Sequence, residues 1–276
     1  MIRLVARTEL SCALAIGGLD PGGGAGVVAD LRAFHVAGAF GCAVVALSTV
    51  QSTAGLVAAE PLASKLLLAQ ARAVLKNQRV RAIKIGALGS QSNVRAIGEL
   101  LACYREIPGI VDPVMLPSRG RARLLAESAV RTLRTELVPR AAMVTANIPE
   151  AEALSRRRIV TIPEARDAAK AILDLGARSV LIKGGHLVGP KAIDVLAMGD
   201  EIVEVATKRL RLRRPIHGGG CTLASLIAGR LAFDARRYDA DGEDMILDAV
   251  RFAKKTHSAM LARARDVGGD MGVLVS

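Results

Sequence analysis

Short apolar runs alternate along the chain with longer segments whose apolar residues return every three or four positions. The runs Ala13–Ile16, Ala43–Leu47, Ala82–Ile85, Gly109–Val111, Met143–Thr145 and Val180–Ile182 are strand-length and nearly continuous in hydrophobicity. That pattern predicts parallel strands buried on both faces rather than the half-wet strands of an open sheet. Between them, helical spacing predicts helices over Ala25–Ala37, Leu62–Leu75, Asn93–Cys103, Arg123–Leu137 and Pro163–Leu175. Repeated strand–helix alternation requires right-handed crossovers and a sheet covered on both sides, a doubly wound, mostly parallel α/β fold. The rhythm breaks at Ile193–Leu210, where two β-like stretches around Met198-Gly199-Asp200 predict a small hairpin at the sheet edge. Two more helices are expected over about Cys221–Phe233 and Glu243–Ala264. No repeat or linker divides the 276 residues, so one domain over residues 1–276 is expected.

Composition sharpens this picture. Hydrophobic residues make up 51% of the chain and aromatics 2%, with no Trp, so the core must be built from Ala, Val, Leu and Ile. The net charge of +12 favours anionic ligands in general. Nucleic acid is not among the expected partners, because the basic residues are scattered and only two Tyr and four Phe are available for stacking. The densest basic run, Lys208-Arg209-Leu210-Arg211-Leu212-Arg213-Arg214, reads first as a charged strand edge and second as a guide for phosphates.

Cys12, Cys42, Cys103 and Cys221 form no CxxC pair, which signals neither a zinc site nor a redox pair and suits a reduced, cytoplasmic setting. Arg3, Arg7 and Glu9 precede an apolar run that stops at Gly17, unlike a secretory signal. Other apolar stretches are too short to cross a bilayer, so no membrane partner is expected.

The most informative stretch is His217-Gly218-Gly219-Gly220-Cys221-Thr222-Leu223, three glycines leading into a helical pattern. Successive glycines let several backbone N–H groups turn toward one ligand, and the positive end of the following helix adds to the same field, which makes an anion cradle. The field there is expected to favour the Cys221 thiolate and suit it to take a proton from a hydroxyl. A Gly-rich turn with a small buried residue is the plainer alternative.

In a doubly wound sheet, ligands bind beyond the carboxyl ends of the strands. After the first strand comes Gly17–Gly26, with Asp30 one helical turn further on; it matches neither GxGxxG nor GxxxxGK[ST], so neither dinucleotide nor P-loop binding is supported. Gln51 follows the second strand and offers one acceptor and two donors to a heteroaromatic ring. Asp112 and Asn147 follow the fourth and fifth, where they would hold Mg²⁺ through water, or where Asn147 would simply cap a helix opening with Pro149 and Glu150. Lys183, after the sixth, would reach a phosphate oxygen.

Seven blocks in order resemble the hydroxymethylpyrimidine and phosphomethylpyrimidine kinases of thiamine biosynthesis, within the ribokinase superfamily. They are GGLDPGGGAGVVADL (Gly17–Leu31), GAFGCAVVALSTVQSTAG (Gly38–Gly55), KIGALGS (Lys84–Ser90), VDPVM (Val111–Met115), TANIPEAEAL (Thr145–Leu154), IKGGHL (Ile182–Leu187) and HGGGCTLAS (His217–Ser225). The resemblance implies a ribokinase-like fold that moves the γ-phosphoryl of ATP, with Mg²⁺, onto a pyrimidine hydroxymethyl group and then onto its monophosphate. It implies Cys221 as catalytic base and Gly218, Gly219 and Gly220 as the anion hole. Gly18, Asp30 and Gln51 would bind the pyrimidine, Lys183, Asn147 and Thr222 the nucleotide, and Glu150 and Asp112 the metal. With the hairpin it implies a homodimer. Pro215 and Ile216 depart from the family's Asn and Thr, Ala87 from a common methionine, and Gly219 from a stiffer residue. A pyridoxine-like substrate and a non-catalytic pyrimidine-phosphate binder on the same fold are the alternatives.

Overall fold

The computed structural model describes residues 10–117, 119, 124–235 and 242–275; Arg3, Arg7 and Glu9 lie outside them. In chain order, β1 (Cys12–Leu19), α1 (Gly26–Val36), β2 (Phe40–Ser52), β3 (Gly55–Pro61), α2 (Ser64–Asn77), β4 (Val80–Ile85), α3 (Gln91–Cys103) and β5 (Gly109–Val111) form the first half. Then come α4 (Ala129–Thr132), β6 (Met143–Asn147), α5 (Ile148–Ser155), α6 (Ile162–Leu173), β7 (Ser179–Lys183), β8 (Lys191–Met198) and β9 (Glu201–Lys208). Last are β10 (Ile216–His217), α7 (Gly219–Asp234), α8 (Gly242–Ala262) and β11 (Gly272–Val273).

The main sheet has the order β3-β2-β1-β4-β5-β6-β7-β8-β9. Its centre, β2 through β7 in that order, is parallel, while β3 pairs antiparallel with β2, and β8 and β9 close the other side antiparallel. The expected doubly wound α/β sheet is therefore present, with a hairpin at each edge rather than at one. Alternation along the strands splits the core. Leu14 and Ile16 of β1 join side chains of α2, α3, α5 and α6 on one face, whereas Ala13 and Ala15 join Phe34 of α1, Leu226 and Ile227 of α7 and Val250 of α8 on the other. Small residues on that second face let helices approach closely: a Cβ at Gly229 of α7 would lie 2.8 Å from the Ala37 Cβ and 3.1 Å from the Phe34 Cα.

Two sequence expectations are corrected. Arg123 falls outside the described residues, and the helix expected up to Leu137 starts only at Ala129, widening into a π turn at Leu133–Leu137. Leu124 instead sits in a bend and Leu125 bridges Gly89, both amides donating to the Met115 carbonyl, so their apolar side chains reach the core without a helix. The basic run is no strand edge either: only Lys208 belongs to β9. Arg209 turns back onto the loop before β8 and donates to the carbonyls of Gly185, Leu187, Gly189 and Lys191.

Candidate active site

The carboxyl ends of β1, β2, β4, β5, β6 and β7 converge with the start of α7. A cleft of about 390 Å³ opens there, lined among others by Gly18, Asp30, Gln51, Lys84, Val114 and Cys221. A smaller cavity of about 210 Å³ adjoins it, sharing Gly86 and Val114 and including Asp112.

The cradle follows from Gly218. It is the N-cap of α7 at φ +74°, and a Cβ there would fall 2.2 Å from the Gly24 carbonyl oxygen, so only glycine can join the two loops this closely. Thr222 N makes the first intrahelical bond, to the Gly218 carbonyl at 3.0 Å, and the amides of Gly219, Gly220 and Cys221 precede it without helical acceptors. Thr222 is turned away from the cleft: it is buried and its hydroxyl donates to the same Gly218 carbonyl.

Cys221 does not carry the thiolate that its helix position suggests. Burial pushes its thiol up to about 12; Lys84 and Lys183 pull against this and Asp112 and Asp30 reinforce it. The helix field is outweighed by desolvation. Asp112, although buried, is held below the ordinary carboxylate range by Lys183, Lys84 and a hydrogen bond from the Cys221 thiol.

Asp30 and Lys84 form the floor. Lys84 Nζ lies 2.9 and 3.0 Å from the two Asp30 oxygens and Ser225 Oγ donates to Asp30 Oδ1 at 2.6 Å. Lys84 is 1% exposed, and its charge survives burial because Asp30 faces it. Sequence reasoning missed this lysine, which hides inside the apolar run of β4; a charge in a strand covered on both faces is itself the signal that a buried partner exists.

At the end of β5 and β6, Lys183 Nζ bridges Asp112 Oδ1 at 2.7 Å and Glu150 Oε2 at 3.8 Å and lies beside Gly220. Asn147 is an N-cap: its side chain accepts from Glu150 N at 2.9 Å while Asn147 N donates to Glu150 Oε2 at 2.8 Å. Burial pushes Glu150 up to about 7, with Lys183 opposing and Asp112 adding to the rise. Among the described residues no three His, Cys, Asp or Glu side chains converge as a metal cage. His257 of α8 packs against Gly219, and burial drives its imidazole down to about 4, leaving it neutral beside the cradle. The structure thus brings Gly18, Asp30, Gln51 and Cys221 to one cleft, and Asp112, Glu150, Lys183 and Gly220 to the adjoining cluster.

An α/β sheet with a glycine cradle and a thiol at a switch-point cleft defines a ribokinase-like phosphotransferase. The profile of the phosphomethylpyrimidine kinase family matches residues 20–272. A hydroxymethylpyrimidine/phosphomethylpyrimidine kinase of Rhizobium meliloti is 41% identical over 222 residues, 80% of this chain and 82% of that protein. Phosphomethylpyrimidine kinase of Clostridium difficile superposes with a TM-score of 0.75 at 34% identity, covering 90% of this chain and 98% of its own. Bacillus subtilis pyridoxal kinase, in its ADP complex, gives 0.84 at 26% identity over 96% and 97%. The chain belongs to the phosphomethylpyrimidine kinase family, a family of ATP-dependent kinases.

Proposed function

We propose that the chain phosphorylates 4-amino-5-hydroxymethyl-2-methylpyrimidine and then its monophosphate with ATP, as one kinase domain over residues 1–276. The observation that carries this is the shared cleft: the Cys221 thiol opens onto the cavity that Gln51, Gly18 and Asp30 line, and the αL turn at Gly218 leads directly into it.

In this reading the ring sits between Gln51 and the β4–β5 side, with its hydroxymethyl group toward Cys221. The thiolate form of Cys221 takes the hydroxyl proton, the alcohol oxygen bonds to the γ-phosphorus, and the bond from phosphorus to the ADP oxygen breaks in line. Amides at Gly219 and Gly220 face the charge on the transferring group, and Lys183 reaches its oxygens. Asp30 keeps Lys84 charged under the sulfur. Asn147 fixes Glu150 through the capping pair, and Thr222 braces the Gly218 carbonyl.

Asp112 and Glu150, which Lys183 brings into one cluster, are hard oxygen donors that would hold Mg²⁺ through water. Bound there, Mg²⁺ would neutralise phosphate oxygens. The four thiols are free, in keeping with a cytoplasmic protein. The edge strand β9 has no fully buried residue, and this supports a homodimer paired through the β8–β9 hairpin.

The test is ADP release from ATP and Mg²⁺ with the hydroxymethylpyrimidine, its monophosphate and pyridoxal assayed side by side. Turnover of both pyrimidines is expected. Turnover of pyridoxal alone would move the substrate to the vitamin ring of the Bacillus subtilis relative. Tight binding of the pyrimidine phosphate without ADP release would make the chain a binder.

A further inference from the structure

Behind Gln51 lies a network that the mechanism above leaves unused. His217 Nε2 lies 2.8 Å from Asp20 Oδ2, and both residues are 2% exposed. Asp20 also accepts from the Gly22 and Ala25 amides at 2.9 and 2.8 Å. Burial opposes its charge, but His217 and these two amides outweigh that and hold the carboxyl below its ordinary value. A carboxylate has no proton to give, so His217 Nε2 must be the N–H donor.

Gln51 completes the network. Its amide nitrogen is placed 3.3 Å from His217 Nε2 and its amide oxygen 3.3 Å from Thr49 Oγ1, an orientation that the available protons reverse. Because His217 Nε2 carries a hydrogen, shared between Asp20 and the more distant Gln51 amide, it has no lone pair to offer, and the amide atom beside it must be the oxygen. Thr49 gives an independent answer. Its hydroxyl lies 2.8 Å from the Leu19 carbonyl, which only accepts, so the single hydroxyl proton is committed there. The amide atom facing Thr49 must therefore be the NH₂ group. Two separate proton counts assign the same orientation, Oε1 toward His217 and Nε2 toward Thr49. A register shift of β2 against β3 between Val50 and Gln51 turns the side chain into this slot.

We propose that His217, held by Asp20, and Thr49, held by the Leu19 carbonyl, are positioning residues that lock the Gln51 carboxamide so that the pocket reads the order of donor and acceptor on its substrate's ring. The proposal rests on the pyrimidine-kinase reading. Each end of the locked amide keeps one site, a lone pair on Oε1 and a hydrogen on Nε2. Together they complement an amino group beside an unprotonated ring nitrogen. The 4-oxo counterpart of the same pyrimidine presents the reverse, an acceptor oxygen beside a ring N–H. A freely flipping amide would serve both rings; a locked one leaves two buried polar groups facing like partners with the wrong ring.

The experiment compares kcat/KM for the 4-amino and 4-oxo hydroxymethylpyrimidines in the wild type, His217→Leu, His217→Gln and Thr49→Val, by ADP release. The wild type should prefer the amino ring by on the order of 100-fold, chiefly through KM. The preference should fall below about tenfold in His217→Leu and narrow in Thr49→Val. It should recover in His217→Gln, whose amide again offers an N–H. Thr49→Val carries the test if His217→Leu does not fold, since it removes one hydroxyl without changing side-chain shape. An unchanged ratio in the folded variants, with both substrates weakened equally, would leave His217 and Thr49 as plain packing and overturn the lock alone. Failure of the wild type to phosphorylate either ring would overturn the pyrimidine reading and the lock with it.

Discussion

Activity should climb steeply with pH, and the reason is the burial of Cys221. A thiol cannot accept a proton, so only the thiolate can serve as base. With its pKa pushed from 9.0 up to about 12, the thiolate is disfavoured by about 4 kcal/mol relative to an ordinary cysteine. At pH 7.5 it amounts to about one molecule in 30,000 of the free enzyme, and each further pH unit raises that share about tenfold. The quantity that reports the free enzyme is kcat/KM. Measured under saturating ATP and Mg²⁺ with limiting pyrimidine, log kcat/KM should rise with a slope near one from pH 7.5 to 9.5 without a plateau. The window starts at 7.5 because Glu150 titrates at about 7 and would confuse the lower range. Cys221→Ala should lower kcat by orders of magnitude while leaving KM nearly unchanged, since the proton acceptor acts mainly in the transition state. Cys221→Asp supplies a base already charged in this window and should flatten the climb. A flat wild-type profile, or near-normal turnover in Cys221→Ala, would refute the thiol as base.

Three further outcomes test the frame around it. Gly218→Ala places a Cβ 2.2 Å from the Gly24 oxygen at φ +74°; it should cost about 1–3 kcal/mol in denaturant unfolding and at least about 100-fold in kcat/KM. Lys84→Met strands a buried carboxylate at Asp30 and should destabilise by about 3–5 kcal/mol, with Asp30→Asn in the same background restoring part of the loss. Glu150 is a carboxyl whose native value lies above its unfolded one, so the folded protein binds the extra proton between about pH 4.5 and 7 and loses stability as pH rises through that window. Relative to wild type, Glu150→Gln should therefore gain stability from pH 5 to 8, up to about 3 kcal/mol in chemical denaturation; an equal pH slope in the two proteins would contradict the burial argument.

What the amino-acid pattern reveals, and what it hides, has one physical origin. Parallel strands covered on both faces must be apolar throughout, which is why even the three residues Gly109–Val111 stand out as β5. The strand β3 obeys no such demand. Three of its seven residues, Val57, Ala58 and Glu60, are exposed, and Gly55–Pro61 looks like loop until β2 pairs with it. The glycine cradle was legible because it is local: Gly218 to Cys221 are consecutive, and the constraint on φ belongs to one residue. The sequence suggests a Cys221 thiolate for the same reason, since the helix end is local whereas the desolvation that raises the thiol comes from the surrounding fold.

The networks that set the chemistry are not local. Lys84 meets Asp30 from 54 positions away, and His217 meets Asp20 from 197. Neither pair leaves a spacing in the sequence. A lysine between Ile83 and Ile85 nevertheless announces that some carboxylate must be buried with it, because an unpaired ammonium in a doubly covered strand would neutralise rather than stay charged. The position of that carboxylate is supplied by topology: β1 lies next to β4 in the sheet, so the helix that follows β1 brings Asp30 over Lys84. The same adjacency sets the first loop beside the start of α7, and it is this loop, through Gly24 and Asp20, that holds Gly218 and His217 in place. Cradle and ring-reading wall are thus two ends of one segment, residues 217–221, anchored on a single neighbour. A change in the Gly17–Gly26 loop should accordingly disturb phosphoryl transfer and substrate choice together.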